Sequence, residues 1–225
     1  MGTFIFDTET TNTTNPEVIE AAWVEILDLK ALPVGRKFCE RYRPEGRISL
    51  GAMATHHIMD EDLVYCEPSS TFKLPAEVNY LIGHNIDFDW KVAGCPNVKR
   101  ICTLALARDL YPEADSHTLS AMLYLLDRPN ARDKLRSAHS ALTDVLVCRD
   151  VLAAMLKTRL AHISTFEELW QASEAAKIPK VMPFGKHKGK RIADVPADYR
   201  QWLLRQPEVD PYLVKALRGG ADAVR

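Results

Sequence analysis

Thr3-Phe4-Ile5-Phe6-Asp7-Thr8-Glu9-Thr10 decides how the rest of the chain is read. Three large apolar side chains in succession, Phe4, Ile5 and Phe6, run directly into the acidic cluster Asp7-Thr8-Glu9. Successive side chains of a strand point to opposite faces, so a run this hydrophobic predicts burial on both faces and a central place in a sheet. In α/β sheets ligands bind beyond the carboxyl ends of such strands, which is where Asp7 and Glu9 stand. Two residues apart on extended backbone, they share a face, and two carboxylates on one face repel unless a cation lies between them. Taken alone, an Asp-x-Glu pair is more often a solvated surface pair than a site.

Working outward, residues 18–29 and 37–43 read as further strands, rich in Val, Ile and aromatic residues, separated from the first by a polar stretch ending in the turn signal Asn15-Pro16. Residues 78–83 and 99–103 are two more strand candidates. Helices are expected over 52–64, from 88 to 93, and over 104–110, 140–160 and 164–177. Ser140 is the expected N-cap of the long helix, Ser164 and Glu167 have capping-box spacing for the next, and Asp87 is placed to cap the short one. Strands first with helices interleaved afterwards predict an α/β fold.

The composition admits a globular enzyme and excludes several classes. Hydrophobic residues make up 47% of 225, enough for a sizeable core. Cys39, Cys66, Cys95, Cys102 and Cys148 are odd in number, irregularly spaced and without a CxxC, so neither a disulfide framework nor a thiolate zinc site is expected. Scattered thiols predict a reducing, cytoplasmic setting. Met1 to Asp7 lacks a basic n-region, which predicts no secretory signal, and no stretch approaches the ~20 apolar residues of a membrane span. The net charge of −1 conceals an asymmetry. Residues 157–225 hold 13 basic and 8 acidic side chains, while residues 1–156 hold 16 and 22. That imbalance raises the expectation of a polyanion or a metal as partner.

Two more polar clusters follow apolar segments: His84-Asn85-Ile86-Asp87-Phe88-Asp89, and His139-Ser140-Ala141-Leu142-Thr143-Asp144. Singly, each is an ordinary turn or helix start, where a carboxylate complements the helix dipole. Together they supply Asp7, Glu9, Asp89 and Asp144, an oxygen-only donor set suited to Mg²⁺ or Mn²⁺ rather than zinc. Two such ions ~3.5–4 Å apart serve in-line displacement at phosphorus, and a histidine of near-neutral pKa can accept the proton of the attacking water.

Asp7-Thr8-Glu9-Thr10, His84-Asn85-x-x-Phe88-Asp89 and His139-x4-Asp144 resemble, in order and spacing, the three motifs of the DEDDh 3′→5′ exonucleases. The resemblance covers roughly residues 3–160, with softer matches at 18–22, 52–56 and 101–103. It implies an RNase H-like exonuclease fold, a central mixed sheet flanked by helices. It further implies that Asp7, Glu9, Asp89 and Asp144 bind two Mg²⁺ or Mn²⁺ ions and that His139 is the general base. Thr8, Thr10, Thr11, His56, Asn85 and Phe88 take the positions of nucleic-acid contacts. One departure is plain: the family commonly follows Asp-Thr-Glu-Thr-Thr with Gly-Leu, whose Leu packs on the terminal base, whereas Asn12-Thr13 stand here.

Beyond Lys177 the character changes. Residues 177–191 carry six basic side chains and no acid, punctuated by Gly185 and Gly189, and Tyr199, Trp202 and Leu203 follow on an expected helix. This segment resembles the C-terminal part of the exonuclease X branch, enzymes that degrade DNA and act in DNA repair. The expected organisation is an exonuclease domain at 1–160, a connecting helix at 161–177 and a small basic C-terminal module at 178–218, with a frayed tail after it. Lys186, Lys188, Lys190 and Arg191 are placed to hold phosphates without reading sequence, helped by backbone N–H groups near the two glycines. Trp23, Trp90, Trp170 and Trp202 are expected in the core or partly buried rather than as stacking platforms. The reading is a 3′→5′ exodeoxyribonuclease releasing 5′-mononucleotides. An RNA exonuclease, a polymerase-associated proofreading subunit and a catalytically idle nucleic-acid-binding protein are the alternatives. Single-strand or duplex preference and oligomeric state, a homodimer included, are left open.

Overall fold

The computed structural model describes residues 2–137 and 140–222. Its elements in chain order are β1 (Gly2–Thr10), β2 (Val18–Ile26), β3 (Val34–Arg43), α1 (Leu50–His56), β4 (Glu67–Pro68), β5 (Val78–Gly83), α2 (Asp87–Val92), β6 (Lys99–Cys102) and α3 (Thr103–Leu110). They continue with α4 (Leu119–Leu126), α5 (Arg128–Lys134), α6 (Ala141–Lys157), α7 (Phe166–Ala176), α8 (Ala197–Leu203) and α9 (Pro211–Asp222). The strands form one mixed sheet in the order β4-β3-β2-β1-β5-β6. β1 pairs antiparallel with β2 and parallel with β5, so it is interior, as its apolar run requires. Phe4, Ile5 and Phe6 are at most 1% exposed. The fold is the mixed α/β sheet with flanking helices that the sequence predicts.

Two compact units are present, Met1–Ser173 and Glu174–Arg225, the division falling inside α7. In the first, α6 packs across β1 and β2. Phe6 stacks on Phe72 at 5.7 Å, and Phe4, two residues away and so on the same face, meets Trp23 edge-on at 5.1 Å, so aromatic rings cover one face of β1. In the second, Met182, Ile192, Val195, Leu203, Leu213 and Leu217 make a core of their own. Among the described residues no helix is long and apolar enough to cross a membrane. All five cysteines are free thiols.

β1 carries Asp7 and Glu9 at its end as expected, and β2 pairs across them, Asp7 opposite Ala22 and Glu9 opposite Glu20. Several local expectations are corrected. The helix expected over 52–64 ends at His56, where His57 turns left-handed at φ 59°, and only a 3-10 turn, Asp60–Leu63, follows. Asp87 is the first residue of α2 rather than its cap, and its carboxylate pairs with Arg100. The cap of α7 is Thr165: its hydroxyl accepts the Glu168 N–H, and Glu168 accepts the Ser164 and Thr165 N–H groups. Glu167 instead accepts from the Tyr80 hydroxyl and pairs with Lys99. α4 and α5 fall in a stretch without an expected element. α4 is capped by the Thr118 side chain and buries Met122 and Leu123. The tail expected after 218 is helical as far as Asp222.

Candidate active site

The antiparallel register of β1 and β2 and the parallel pairing of β5 bring the first two acidic motifs to one end of the sheet, and α6 delivers the third. Ligand oxygens of Asp7, Glu9 and Asp144 all lie within 4.8 Å of one another. Asp89, at the start of α2, is 4% exposed, and its Oδ1 accepts hydrogen bonds from Thr8 N–H (3.0 Å) and the Thr8 hydroxyl (2.7 Å). Thr8 points away from Asp7 and Glu9 on the alternating strand, so one residue tethers the second motif to the first. The four predicted acids are therefore neighbours. His139 lies outside the described residues.

Burial and crowding make this cluster proton-hungry. Desolvation first, then the charges of Asp89, Asp144, Glu9 and Glu20, push Asp7 well above the usual carboxylate range. Glu9 is pushed up to about 8 by burial and then by Asp144, Glu20 and Asp89. Asp89 is pushed up to about 7 by burial, against the lowering effect of its two Thr8 hydrogen bonds. Like charges forced together in a desolvated place either take up protons or share a cation. Three converging oxygen donors without sulfur or imidazole fit a hard divalent ion. Burial pushes the thiol of the nearby Cys148 up to about 12.

Glu20 is the residue that sequence reading passed over. It is 4% exposed, sits opposite Glu9 on β2, and accepts both the Ala141 N–H (2.8 Å) and Arg41 Nε (3.0 Å). Ala141 N is the first amide of α6, one of those every helix leaves without an internal partner. Ser140 occupies the N-cap position, yet its side chain makes no capping bond. The cap comes from β2, and it fixes the turn of α6 that carries Asp144. The signal was present in the sequence: one acid inside the otherwise apolar Val18-Ile19-Glu20-Ala21-Ala22.

Beside the acids lies a cleft of about 560 Å³, lined by Thr8, Glu9 and Thr10 from β1, Asn12 to Thr14 from the following loop, Ser49, Gly51, Ala52, Thr55 and His56 around α1, and Phe88 from α2. His56 is buried in its wall, with Nδ1 accepting the Ile58 N–H, and burial lowers its pKa. Thr11 is a correction: it is 1% exposed and does not line the cleft. Its hydroxyl accepts from Glu17 N–H and Asn12 Nδ2 and so staples the loop. Asn85 adopts φ 75° in the turn between β5 and α2, and next to it His84 is held neutral near a pKa of about 4 by burial while its ring nitrogens meet Thr103 Oγ1 and the His117 carbonyl. Asn12 and Thr13, standing where Gly-Leu is usual, form a turn in which Asn12 Oδ1 accepts from the Thr14 and Asn15 N–H groups.

Lys186, Lys188, Lys190 and Arg191 belong to the second unit. They are exposed on a turn closed by Met182 N–H to Lys190 C=O and Gly189 N–H to Met182 C=O, both 2.8 Å. The Lys188, Gly189 and Lys190 amides are all used inside the turn, so the expected help from backbone N–H groups at Gly189 is absent. Arg191 is tied to Asp194 at 2.7 Å.

The chain is similar to known exonucleases in sequence and fold. Exodeoxyribonuclease 10 of Escherichia coli K12 is 29% identical over 211 residues, covering 88% of this chain and 89% of the relative. The chain resembles exonuclease X. A solved structure of exonuclease X in complex with 5′ overhanging duplex DNA superposes with a TM-score of 0.56 at 21% identity, over 76% of this chain and 98% of that one. The nuclease domain of 3′hExo, described as a DEDDh family member bound to rAMP, superposes at 0.52 and 17% identity, over 69% and 92%. Both share the RNase H-like fold. Residues 174–208 match a family model described as "Putative quorum-sensing-regulated virulence factor".

Proposed function

We propose that the chain is a DEDDh-type 3′→5′ exodeoxyribonuclease that releases 5′-mononucleotides. The observation that carries the reading is the convergence of Asp7, Glu9 and Asp144 within 4.8 Å, with Asp89 tethered beside them by Thr8. All three exonuclease motifs meet there, in a chain similar to an exodeoxyribonuclease along most of its length.

Asp7, Glu9, Asp89 and Asp144 hold two divalent ions, Mg²⁺ or Mn²⁺. When bound, such ions neutralise the cluster and polarise the phosphodiester for attack by water. The chain's own residues do the rest. Asp7 shares its strand face with Glu9 and feels the charges of Glu9, Glu20, Asp89 and Asp144. Asp89 has Oδ1 committed to Thr8 and offers its other oxygen. His139, next to the start of α6, takes the proton from the attacking water. The cleft beside Glu9 receives the 3′-terminal nucleotide between Phe88 and the His56 wall, with Thr8 and Thr10 around it. The first unit cuts, and the basic second unit holds the strand through Lys186, Lys188 and Lys190.

A panel of 3′-labelled single-stranded DNA, overhanging duplex DNA and RNA, with Mg²⁺, Mn²⁺ or chelator, tests this. DNA ends shortened one nucleotide at a time, only with metal, are expected. Hydrolysis that persists in chelator overturns the metal assignment. RNA ends cut faster than DNA ends move the reading to the ribonuclease alternative.

A further inference from the structure

Trp202 is 48% exposed and Phe184 46% exposed, although the unit that carries them already has a core of six buried apolar residues. The sequence favours a core or partly buried Trp202 over a stacking platform; on α8 it is Leu203, one residue on, that turns fully inward. A tryptophan ring left half in water forgoes part of the large apolar burial it offers, so its position calls for an occupant. The ring is not isolated. Tyr199 packs on it at 5.3 Å, and His187 meets Tyr199 edge-on at 4.6 Å, giving a ladder of three rings. Lys186, His187, Pro196, Asp198, Tyr199 and Trp202 line one shallow concavity of about 280 Å³.

The charge around this ladder selects the occupant. Lys186, Lys188 and Lys190 make no ion pair among the described residues, whereas Arg191 next to them is paired with Asp194. The turn that displays them is fixed by its own hydrogen bonds and by left-handed glycines at 185 (φ 75°) and 189 (φ 79°). Its direction is pre-set, and little ordering entropy is lost on binding. Lys186 stands beside the exposed aromatic face, and Lys188 and Lys190 follow it on the same turn. A single-stranded nucleic acid presents the complement, phosphates every nucleotide and a base face free to stack. Asp198, also in the concavity, disfavours a phosphate there and leaves Lys186 as its cationic edge. A base-paired duplex keeps its faces stacked internally and offers no such surface.

We infer that the Trp202–Tyr199 face stacks unpaired bases of a single-stranded DNA segment while Lys186, Lys188 and Lys190 hold its phosphates. This rests on the proposed role of the basic turn in holding the strand. The test measures affinity of the full chain, in chelator so that nothing is cut, for oligo(dT) and for an abasic strand of equal length and charge, across salt. Trp202→Ala is expected to weaken oligo(dT) binding by about 5- to 100-fold, leave the abasic strand unaffected and keep the salt slope. Trp202→Phe, which retains a ring, is expected to recover most of the loss. Neutralising the three lysines as Lys186→Gln, Lys188→Gln and Lys190→Gln is expected to weaken both strands and flatten the log–log salt slope by about 2. A Trp202→Ala loss equal for both strands, or no loss, overturns the stacking inference even where the lysine result holds. An unchanged salt slope in the lysine variant overturns the underlying reading of the turn.

Discussion

The two charged regions of this chain are built in opposite ways. The acids of the first unit are buried or half-buried, mutually repelling and held by backbone register and by Thr8 and Glu20. The lysines of the second unit are exposed, on a turn whose geometry comes from glycines and backbone bonds rather than from the lysines themselves. A centre that acts on a reacting bond must fix atoms, and crowding like charges stores the affinity for a cation. A surface that grips a polyanion needs only charge at the right density and tolerates loss of any one member.

The largest expected effects break the first region. Asp7→Ala or Asp144→Ala should bring hydrolysis of 3′-labelled DNA to background, and His139→Ala should cost on the order of 10²–10⁴-fold. A fully active Asp7→Ala protein would falsify the metal assignment. Next comes Glu20. Removing its carboxylate orphans the first amide of α6 and frees the turn that carries Asp144. Glu20→Ala is therefore expected to lower kcat by roughly 10²-fold with little change in KM, since a misplacement of an ångström at the reacting centre costs about that much. Glu20→Gln keeps an acceptor for Ala141 and should retain part of the rate. Equal losses in the two variants would assign the effect to charge rather than to placement.

The same contrast shows in pH. Asp7, Glu9 and Asp89 have folded pKa values raised above those of the unfolded chain, so their contribution is fully present below about pH 4 and is lost as pH rises toward about 7 for Asp89 and about 8 for Glu9. Without metal, Tm should fall between pH 5 and 8, and the rise in Tm on adding Mg²⁺ should grow over that window. A metal-free protein whose Tm climbs through this range contradicts the crowding. The smallest effect concerns neither charged region. Thr165→Ala removes the cap of α7 and should cost about 1 kcal/mol, seen as a Tm lower by a few degrees, with hydrolysis kinetics as in the parent.

Much of this was legible in the residues. Phe4-Ile5-Phe6 is hydrophobic without alternation and became the interior strand, and the three acidic motifs meet because the first closes β1 while Asp89 and Asp144 stand in the first turns of α2 and α6. What escaped was decided by partners distant in sequence. Ser140 looks like a cap, but Glu20, 121 residues from Ala141, makes the bond. Glu167 looks like a capping-box acid, but Tyr80 and Lys99 recruit it and Glu168 takes its place. Trp202 reads as core or partly buried by residue type, and only the folded unit shows which side of α8 faces inward.

The Glu20–Ala141 hydrogen bond also sets an order in time. At synthesis rates of about 5–20 residues per second, Asp7 precedes Asp144 out of the ribosome by roughly 7–27 s. Throughout that interval the nascent chain carries its first acids with neither the third motif nor the helix that Glu20 awaits. The centre can close only after nearly the whole first unit has been made, so a stalled or truncated product is born inert toward the nucleic acid around it.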